Sequence, residues 1–346
     1  MTEYRINLIS DTVTMPTAAM KEAMIQAPLG DDVFRMDPTV NQLEHKLADL
    51  FGHEAGLFCP SGTMTNQIAI KAHTQPLDEV ICDIHSHIYQ YEVGGYAFHS
   101  GVAINPIYGN DGKLTVDLIQ DQIKPAFDWL PRTKLVVLEN TCNRAGGNYY
   151  ELAEMKSLST YCKKHELNFH LDGARIFNAL IESKDDPRDV GVLFDSISIC
   201  LSKGLGAPVG SVLIGSSSFI NYCRRIRKVF GGGMRQAGIL AAAGIYALDH
   251  NIQRLKIDHD HAKIIAKTLV QTNYLESIKV VKTNIIIFDL IKSFDLNDFI
   301  EQLHGFNIHA SAFGKHSVRF VTHMDINSSM VDEVCHVLLN NIRPGT

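Results

Sequence analysis

An aspartate and a lysine, each placed just after an apolar run, are the residues of this sequence best suited to chemistry. Asp172 follows residues 168–171, and Lys203 comes two positions after the run 197–201. Such runs predict buried strands of a parallel sheet. Because ligands of open α/β sheets bind beyond the carboxyl ends of the strands, we expect both side chains in one site. A Schiff-base amine and an anionic partner for a pyridinium nitrogen are what pyridoxal 5′-phosphate requires.

Composition and charge restrict what this chain of 346 residues can be. Hydrophobic residues make up 45% and charged residues 20%, ordinary values for a globular protein with a sizeable core. The net charge of −6 argues against nucleic acid as a partner, since the basic segment 224–228 is short. Seven scattered cysteines without a C-x-x-C pair favour a reducing compartment, so we expect a cytoplasmic protein. Residues 1–5 lack a signal-peptide core, and the apolar stretch 238–248 is too short to cross a membrane.

Strand-like runs alternate with helical periodicity over most of the chain. Residues 80–84, 135–138, 169–171, 197–201 and 209–214 predict strands, and helical spacing follows Asp37 and recurs at residues 152–165. This alternation predicts an α/β fold, with a mostly parallel sheet wrapped by helices. Residues 251–275 indicate a helix, and short strands are predicted at 284–290 and 317–322. We therefore expect a large domain over residues 1–250 and a smaller α+β domain over residues 251–346.

Three further segments hold residues that could bind a cofactor. Ser61, Gly62 and Thr63 precede a helical stretch at 66–73, where free backbone N–H groups suit a phosphate, although an ordinary helix cap is the alternative. His87 follows a predicted strand and could stack on a planar ring. It could also ligate a metal with His85, but no carboxylate or thiol cluster completes such a site, so no metal is expected. Three glycines at 231–233 place Arg235 at the start of an alanine-rich helix, with a hinge and a solvated arginine as the alternative.

Motifs spread nearly from end to end carry a resemblance to one family. They are SDTVT at 10–14, GDDV at 30–33, DPTVN at 37–41, SGT at 61–63, LENT at 138–141, DGARIFNA at 172–179, LSKGL at 201–205, GGGMRQ at 231–236 and RFVTH at 319–323. With these motifs the chain resembles the low-specificity L-threonine aldolases, which use pyridoxal phosphate and have the fold-type-I aminotransferase architecture. The resemblance implies cleavage of L-threonine or L-allo-threonine to glycine and an aldehyde.

The resemblance also implies a role for each matching residue. Lys203 would bind the cofactor covalently, Asp172 would keep the pyridine nitrogen protonated, and His87 would stack on the ring. The remaining implied contacts are Ser61, Gly62, Thr63 and Arg175 to the cofactor, Arg235 to the cofactor of a neighbouring subunit, and Ser10, Arg175 and Arg319 to the substrate carboxylate. The active sites would then lie at the subunit interface of a homodimer or homotetramer.

Three positions depart from the family's pattern. Ile9 stands where the family usually has arginine, and Met15 stands where it usually has a basic residue. Cys142 replaces a histidine that would lie near the β-hydroxyl of the substrate, and we expect it to be a catalytic residue at that place. Because a thiol is a weaker hydrogen-bond partner than imidazole, two alternatives stay open. One is another reaction dependent on pyridoxal phosphate, such as β-elimination or racemisation, and the other is a non-catalytic protein that binds this cofactor.

Overall fold

A computed structural model describes residues 5–344 of the chain. The prediction that the chain has no signal peptide depends mostly on residues 1–4, and these lie outside the described residues. The strands are β1 (Ile6–Asn7), β2 (Ala55–Cys59), β3 (Asp78–Asp83), β4 (Ala103–Ile107), β5 (Arg132–Glu139), β6 (Asn168–Gly173), β7 (Ser196–Cys200), β8 (Ser211–Gly215), β9 (Leu275–Ile278), β10 (Ile285–Leu290), β11 (Ile308–His309), β12 (Ser311–Ala312) and β13 (Ser317–Val321).

Helices alternate with these strands and lie against them. They are α1 (Ala18–Ile25), α2 (Pro38–Phe51), α3 (Gly62–His73), α4 (His87–Gln90), α5 (Gly95–Ser100), α6 (Val116–Ile119), α7 (Leu152–Lys164), α8 (Ile176–Ser183), α9 (Pro187–Gly191), α10 (Ser217–Val229), α11 (Gly238–His250), α12 (Leu255–Leu269), α13 (Leu296–Gly305) and α14 (Ser328–Asn340). Across residues 5–344, no helix is both long and apolar enough to cross a lipid bilayer.

The large sheet has the strand order β2-β8-β7-β6-β5-β3-β4. Strands β7, β6, β5, β3 and β4 pair in parallel, whereas β8 is antiparallel to both of its neighbours, β7 and β2. The prediction of an α/β fold with a mostly parallel sheet is confirmed. The predicted strand at 209–214 is β8, and its antiparallel direction makes the sheet mixed.

Helix α2 shows how local sequence sets the elements that frame this sheet. The Asp37 side chain accepts hydrogen bonds from the N–H groups of Thr39 and Val40, and proline occupies the first turn, where its missing N–H costs nothing. The helix ends at Gly52, whose φ of 72° is a left-handed conformation that glycine adopts without strain. The apolar face of α2 is buried in the main core.

A second, antiparallel sheet of order β12-β13-β10-β9 follows, and helices α12, α13 and α14 contribute to its core. The strands predicted at 284–290 and 317–322 are β10 and β13, whereas the helix predicted over 251–275 is shorter, from Leu255 to Leu269. The N-terminal strand β1 pairs in parallel with β11, and Ile6 and Leu8 belong to the same second core. The domain boundary at residue 250 stays a prediction.

Candidate active site

Asp172 and Lys203 lie at one edge of the large sheet. Strands β6 and β7 are parallel neighbours in which Asp172 is in register with Ser198, and the chain reaches Lys203 just after β7 ends at Cys200. The Lys203 amine lies 3.3 Å from the Cys200 sulfur. Burial lowers the pKa of Lys203, but the neighbouring Cys200 and the carboxylates of Asp172 and Asp11 outweigh it, so that pKa is raised. These charges therefore favour the cationic form of the amine.

A cavity of about 410 Å³ opens beside Lys203. It lies between the edge of the large sheet and strands β12 and β13 of the second sheet. Of the residues singled out from the sequence, Ser10, His87, Arg175 and Arg319 line it together with Lys203. The other lining residues are Thr12, Tyr91, Glu139, Asn143, Arg144, Ala174, Ser311, Ala312 and Phe313.

Arg175 is held in this cavity by a buried carboxylate. Its Nε and Nη2 atoms each donate to Asp11, both at 2.7 Å, in a two-pronged ion pair. Although burial raises the pKa of Asp11, the charges of Arg175 and Lys203 outweigh it and bring that pKa to about 2. Asp11 therefore stays ionised at neutral pH and fixes the plane of the guanidinium group.

Arg319 approaches the cavity from β13. Its Nη1 atom donates to Asn143 Oδ1 at 3.1 Å and its Nη2 atom to the carbonyl oxygen of Ile9 at 3.0 Å. Its Nε atom is buried and has no hydrogen-bond partner within residues 5–344. Burial, with repulsion from Arg175, lowers the pKa of Arg319 to about 10, so the group remains a cation at neutral pH. An unpaired donor beside a cavity suits an anionic ligand.

The carboxylate of Asp172 is buried and accepts two hydrogen bonds. Asn66 Nδ2 donates to Oδ2 at 2.9 Å, and the backbone N–H of Ala174 donates to Oδ1 at 3.1 Å. The same Asn66 nitrogen donates to Glu92 Oε1, also at 2.9 Å. One neutral amide on helix α3 thus joins two buried carboxylates.

Glu92 also binds His87, because His87 Nδ1 lies 2.9 Å from Glu92 Oε1. Burial lowers the pKa of His87, but the Glu92 hydrogen bond and the charges of Asp172, Glu92 and Glu139 outweigh it and raise that pKa. One ligand atom each from His87, Glu92 and Asp172 lies within 4.8 Å of the others. The expectation that no carboxylate cluster accompanies His87 is therefore wrong. The fold brings in Glu92 from beyond helix α4 and Asp172 from β6.

Glu139, at the end of β5, is a further carboxylate of the cavity. It accepts from the backbone N–H of His87 at 2.5 Å and from that of Asn143 at 2.8 Å. Burial, with repulsion from Asp172, raises the pKa of Glu139 to about 7 despite these two hydrogen bonds. Its charge therefore changes near neutral pH.

The start of helix α3 packs against the end of β7. Ser61 caps the helix by accepting from the Met64 N–H, and by helix geometry the N–H groups of Gly62 and Thr63 have no intrahelical acceptor. A Cβ atom at Gly62 would lie 2.5 Å from the Cys200 sulfur, so only glycine allows this approach. The Ser61-Gly62-Thr63 segment is thus brought next to Cys200, the residue that contacts the Lys203 amine.

Cys142 does not line the Lys203 cavity. It lies in the wall of an adjoining cavity of about 400 Å³, which shares Glu139, Arg144 and Phe313 with the first. The Cys142 thiol is within hydrogen-bond distance of the carbonyl oxygens of Glu139, at 3.2 Å, and of Gly112, at 3.3 Å. These contacts hold the thiol against the backbone of those two residues. Burial, with the charge of Glu139, raises its pKa well above the usual value, so it is no base at neutral pH. This placement argues against the expected catalytic role.

Cys142→Ala is accordingly expected to change kcat/KM for the substrate by less than about threefold, because only weak thiol hydrogen bonds are removed. Cys162→Ala, a buried thiol on α7, is the matched control. A loss of more than about 100-fold specific to Cys142, a size typical of a missing acid–base group, would contradict this reading.

Arg235 is turned away from the cavity of its own chain. It forms an ion pair with Asp31 at 2.9 Å, its side chain is 55% exposed, and its guanidinium lies 6.0 Å from the centre of the Phe34 ring. It is not among the residues that line the Lys203 cavity. A contact between Arg235 and this cavity in the same chain is therefore not formed.

The other two departures from the family's pattern leave this site intact. Ile9 contributes through its backbone carbonyl, which accepts from Arg319, so its side chain is not needed for that contact. Met15 is 62% exposed, and its N–H donates to Asp325 at 2.9 Å.

Several residues of the site were not singled out from the sequence. Asp11 and Glu139 lie inside the motifs given above but had no assigned role. Glu139 follows a predicted strand, and because ligands of open α/β sheets bind at the carboxyl ends of strands, its position could have indicated a site residue. Asn66 and Glu92 carry no such signal, because they reach Asp172 only through the packing of α3 and the segment after α4.

The sequence of this chain is similar to those of known proteins. Residues 7–293 match the family of beta-eliminating lyases. The low-specificity L-threonine aldolase of Escherichia coli K12 is 41% identical over 330 residues, which covers 95% of this chain and 97% of that protein. The low-specificity L-threonine aldolase 1 of Arabidopsis thaliana is 41% identical over 290 residues, or 82% of this chain and 81% of that protein. The chain belongs to the low-specificity L-threonine aldolase family.

Membership in this family agrees with the resemblance found in the sequence motifs. The structure of Leishmania major threonine aldolase has a TM-score of 0.82 at 21% identity and covers 96% of this chain and 98% of that one. Serine palmitoyltransferase of Sphingomonas wittichii has a TM-score of 0.73 at 16% identity, over 96% of this chain and 86% of that one. These structures share the fold, and the expectation of a fold-type-I architecture is confirmed.

Proposed function

We propose that this member of the threonine aldolase family is a lyase that cleaves L-threonine and L-allo-threonine to glycine and acetaldehyde with the help of pyridoxal 5′-phosphate. The observation that supports it most is the 41% identity to a low-specificity L-threonine aldolase over 95% of the chain. The cavity agrees with it, because a lysine amine and three arginines line a space of about 410 Å³.

The residues present fit this cofactor. Lys203 supplies the amine that binds it covalently, and Asp172 supplies a buried carboxylate for its ring nitrogen. The helix start at Ser61, Gly62 and Thr63 supplies backbone N–H groups for its phosphate. When bound, the cofactor withdraws electrons from Cα while the Cα–Cβ bond of the substrate breaks.

The side chains of the cavity orient the substrate and handle its protons. Arg319, with its unpaired Nε–H, and Arg175 bind the carboxylate together with the Ser10 hydroxyl. Holding this group fixes which bond at Cα is broken. Because His87 Nδ1 is engaged by Glu92, its Nε2 atom is the one left to accept the proton of the β-hydroxyl. An ordered water is the alternative acceptor.

The test is product analysis with purified protein, added pyridoxal phosphate and a panel of β-hydroxy amino acids. Equal amounts of glycine and acetaldehyde from L-threonine are expected. Ammonia with a 2-oxo acid would instead indicate β-elimination, and conversion to D-allo-threonine, by inversion at Cα alone, would indicate racemisation. Cofactor binding without any product would indicate a non-catalytic binding protein.

We also infer that the active unit is at least a dimer in which Arg235 reaches the cofactor phosphate of the neighbouring subunit. Arg235 is half exposed and lies outside the cavity of its own chain. Large apolar side chains in the same region, Phe34, Met36 and Val229, are 69%, 69% and 83% exposed. Apolar exposure of this extent is typical of a surface that is covered in an assembly.

Mixing two inactive variants tests this inference. Lys203→Ala and Arg235→Ala chains should recover about a quarter of wild-type activity after subunit exchange, since half of the random dimers contain one intact site. Mixing Lys203→Ala with Asp172→Asn is the control and should recover nothing, because both residues belong to the same chain's site. No recovery in the first mixture, with exchange shown by mass spectrometry, would place the action of Arg235 within its own chain.

A cytoplasmic location is part of the proposal. It is supported by the seven cysteines, all of which are free thiols in the described part of the chain. Fractionation of cells that express a tagged chain tests it.

A further inference from the structure

The side-chain amide of Asn66 lies between two buried carboxylates. Its nitrogen is 2.9 Å from Asp172 Oδ2 and 2.9 Å from Glu92 Oε1, so each of its two hydrogens has one acceptor. Asn66, Asp172 and Glu92 are all buried. A neutral donor thus holds together two like charges that would otherwise repel each other in a region with little water.

The other end of this amide is held by a histidine. Asn66 Oδ1 is 3.3 Å from His170 Nε2, and because an amide oxygen can only accept, this contact is a hydrogen bond in the tautomer that carries the proton on Nε2. His170 Nδ1 lies 2.8 Å from the Ser196 hydroxyl and 3.1 Å from the Ser196 carbonyl oxygen. The same hydroxyl is 2.7 Å from His73 Nε2. A continuous set of hydrogen bonds therefore runs from His73 to Asp172.

The two histidines of this set carry no charge at neutral pH. Burial lowers the pKa of His170 to about 4, and burial with repulsion from His170 lowers the pKa of His73 to about 3. His170 therefore acts as a neutral N–H donor. If the Asn66 amide were turned over, its NH₂ group would face the His170 N–H and its oxygen would face both carboxylates. The His170 proton and the two carboxylates thus favour the same orientation of the Asn66 amide.

We propose that His170, acting through Asn66, is a positioning residue that keeps the Asp172 carboxylate directed at the ring nitrogen of the cofactor. His170 lines neither of the two cavities at the carboxyl edge of the sheet. The inference rests on the proposed function, because it requires a cofactor with a basic ring nitrogen next to Asp172. By this proposal, an uncharged residue of β6 that lies outside both cavities influences how tightly the cofactor binds.

Measurements of cofactor affinity distinguish a positioning role of His170 from a packing role. Apoprotein of the wild type, His170→Gln and His170→Leu would be titrated with pyridoxal phosphate and with its 1-deaza analogue, in which carbon replaces the ring nitrogen. If His170→Leu frees the Asn66 amide so that Asp172 no longer holds the ring nitrogen, the loss of that hydrogen bond to a charged group predicts about tenfold or more weaker binding of pyridoxal phosphate. His170→Gln, whose amide N–H can replace Nε2–H, should stay within about threefold of the wild type. With the deaza analogue, all three proteins should agree within about threefold, because no ring nitrogen faces Asp172.

Two measurements guard the result against misfolding. Thermal unfolding of each apoprotein shows whether the variant folds, and Asn66→Ala provides a second, smaller side chain that should weaken pyridoxal phosphate at least as much as His170→Leu does. Equal weakening of both cofactors by His170→Leu and by Asn66→Ala would reduce the pair to a packing role and overturn the proposal. Unchanged affinity for pyridoxal phosphate in both variants would also overturn it. Failure of the wild type to bind pyridoxal phosphate would instead refute the proposed function on which the inference rests.

Discussion

Lys203→Ala is expected to lower the rate of threonine cleavage by at least roughly 10²–10⁴-fold, the usual effect of removing a well-placed acid–base group. Loss of the covalent attachment adds to this effect. Lys203 is a partly buried cation that lines the cavity, and the Cys200 sulfur and the carboxylates of Asp172 and Asp11 compensate for its burial. Among residues 5–344, no other lysine lines this cavity.

Chemical labelling checks the same residue independently of turnover. Borohydride reduction of wild-type protein with bound pyridoxal phosphate should fix the cofactor to the peptide that contains Lys203, as measured by mass spectrometry. The Lys203→Ala variant should give no labelled peptide, whereas Lys267→Ala, an exposed lysine on α12, should be labelled and active like the wild type. Labelling of another lysine in the wild type would refute the assignment.

Asp172→Asn is expected to lower both turnover and the affinity for pyridoxal phosphate by about 10- to 100-fold, the cost of losing a hydrogen bond to a charged group. Both oxygens of the Asp172 carboxylate accept hydrogen bonds, one from Asn66 and one from the Ala174 N–H. An asparagine at this position has only one oxygen, so its NH₂ group must face one of these donors. The negative charge that keeps the ring nitrogen protonated is also lost.

Steady-state kinetics and cofactor titration of folded Asp172→Asn protein provide the measurement. Asp195→Asn is the matched control, because Asp195 also accepts from a backbone N–H, that of Phe169 at 2.7 Å, but precedes β7 and so lies at the opposite end of the strands. The control should keep turnover and affinity within about threefold, as is usual for substitutions away from a site. If Asp172→Asn does the same, Asp172 has no role in controlling the cofactor.

The central elements of the fold were predictable because local sequence determines them. Helix α2 begins at an Asp-Pro cap and ends at a glycine with positive φ, as its sequence indicates. Strands β3, β5, β6 and β7 are buried apolar runs, which a parallel sheet covered on both faces requires. Strands β2 and β4 were missed because each has only five residues and contains a residue that weakens the strand pattern, a glycine in β2 and a proline in β4.

The outcome for Cys142 shows where sequence reasoning reaches its limit. The motif predicts which residue type stands at the position, but the direction of its side chain depends on the loop around it. Here the carbonyl groups of Glu139 and Gly112 hold the thiol, and it lines the adjoining cavity. We therefore predict that this substitution leaves the chemistry unchanged, which the Cys142→Ala variant tests.

By itself, the sequence determined the α/β class, the family and the strand-end pair Asp172 and Lys203, because these depend on local periodicity and on motifs of adjacent residues. Only the tertiary structure decided what surrounds that pair. Asn66 reaches Asp172 across 106 positions, and Arg175 reaches Asp11 across 164. No local pattern encodes such contacts, since they form when separate helices and strands pack and buried polar groups must find partners. The charge and orientation of the site therefore follow from packing, whereas the residues that make it reactive follow from the sequence.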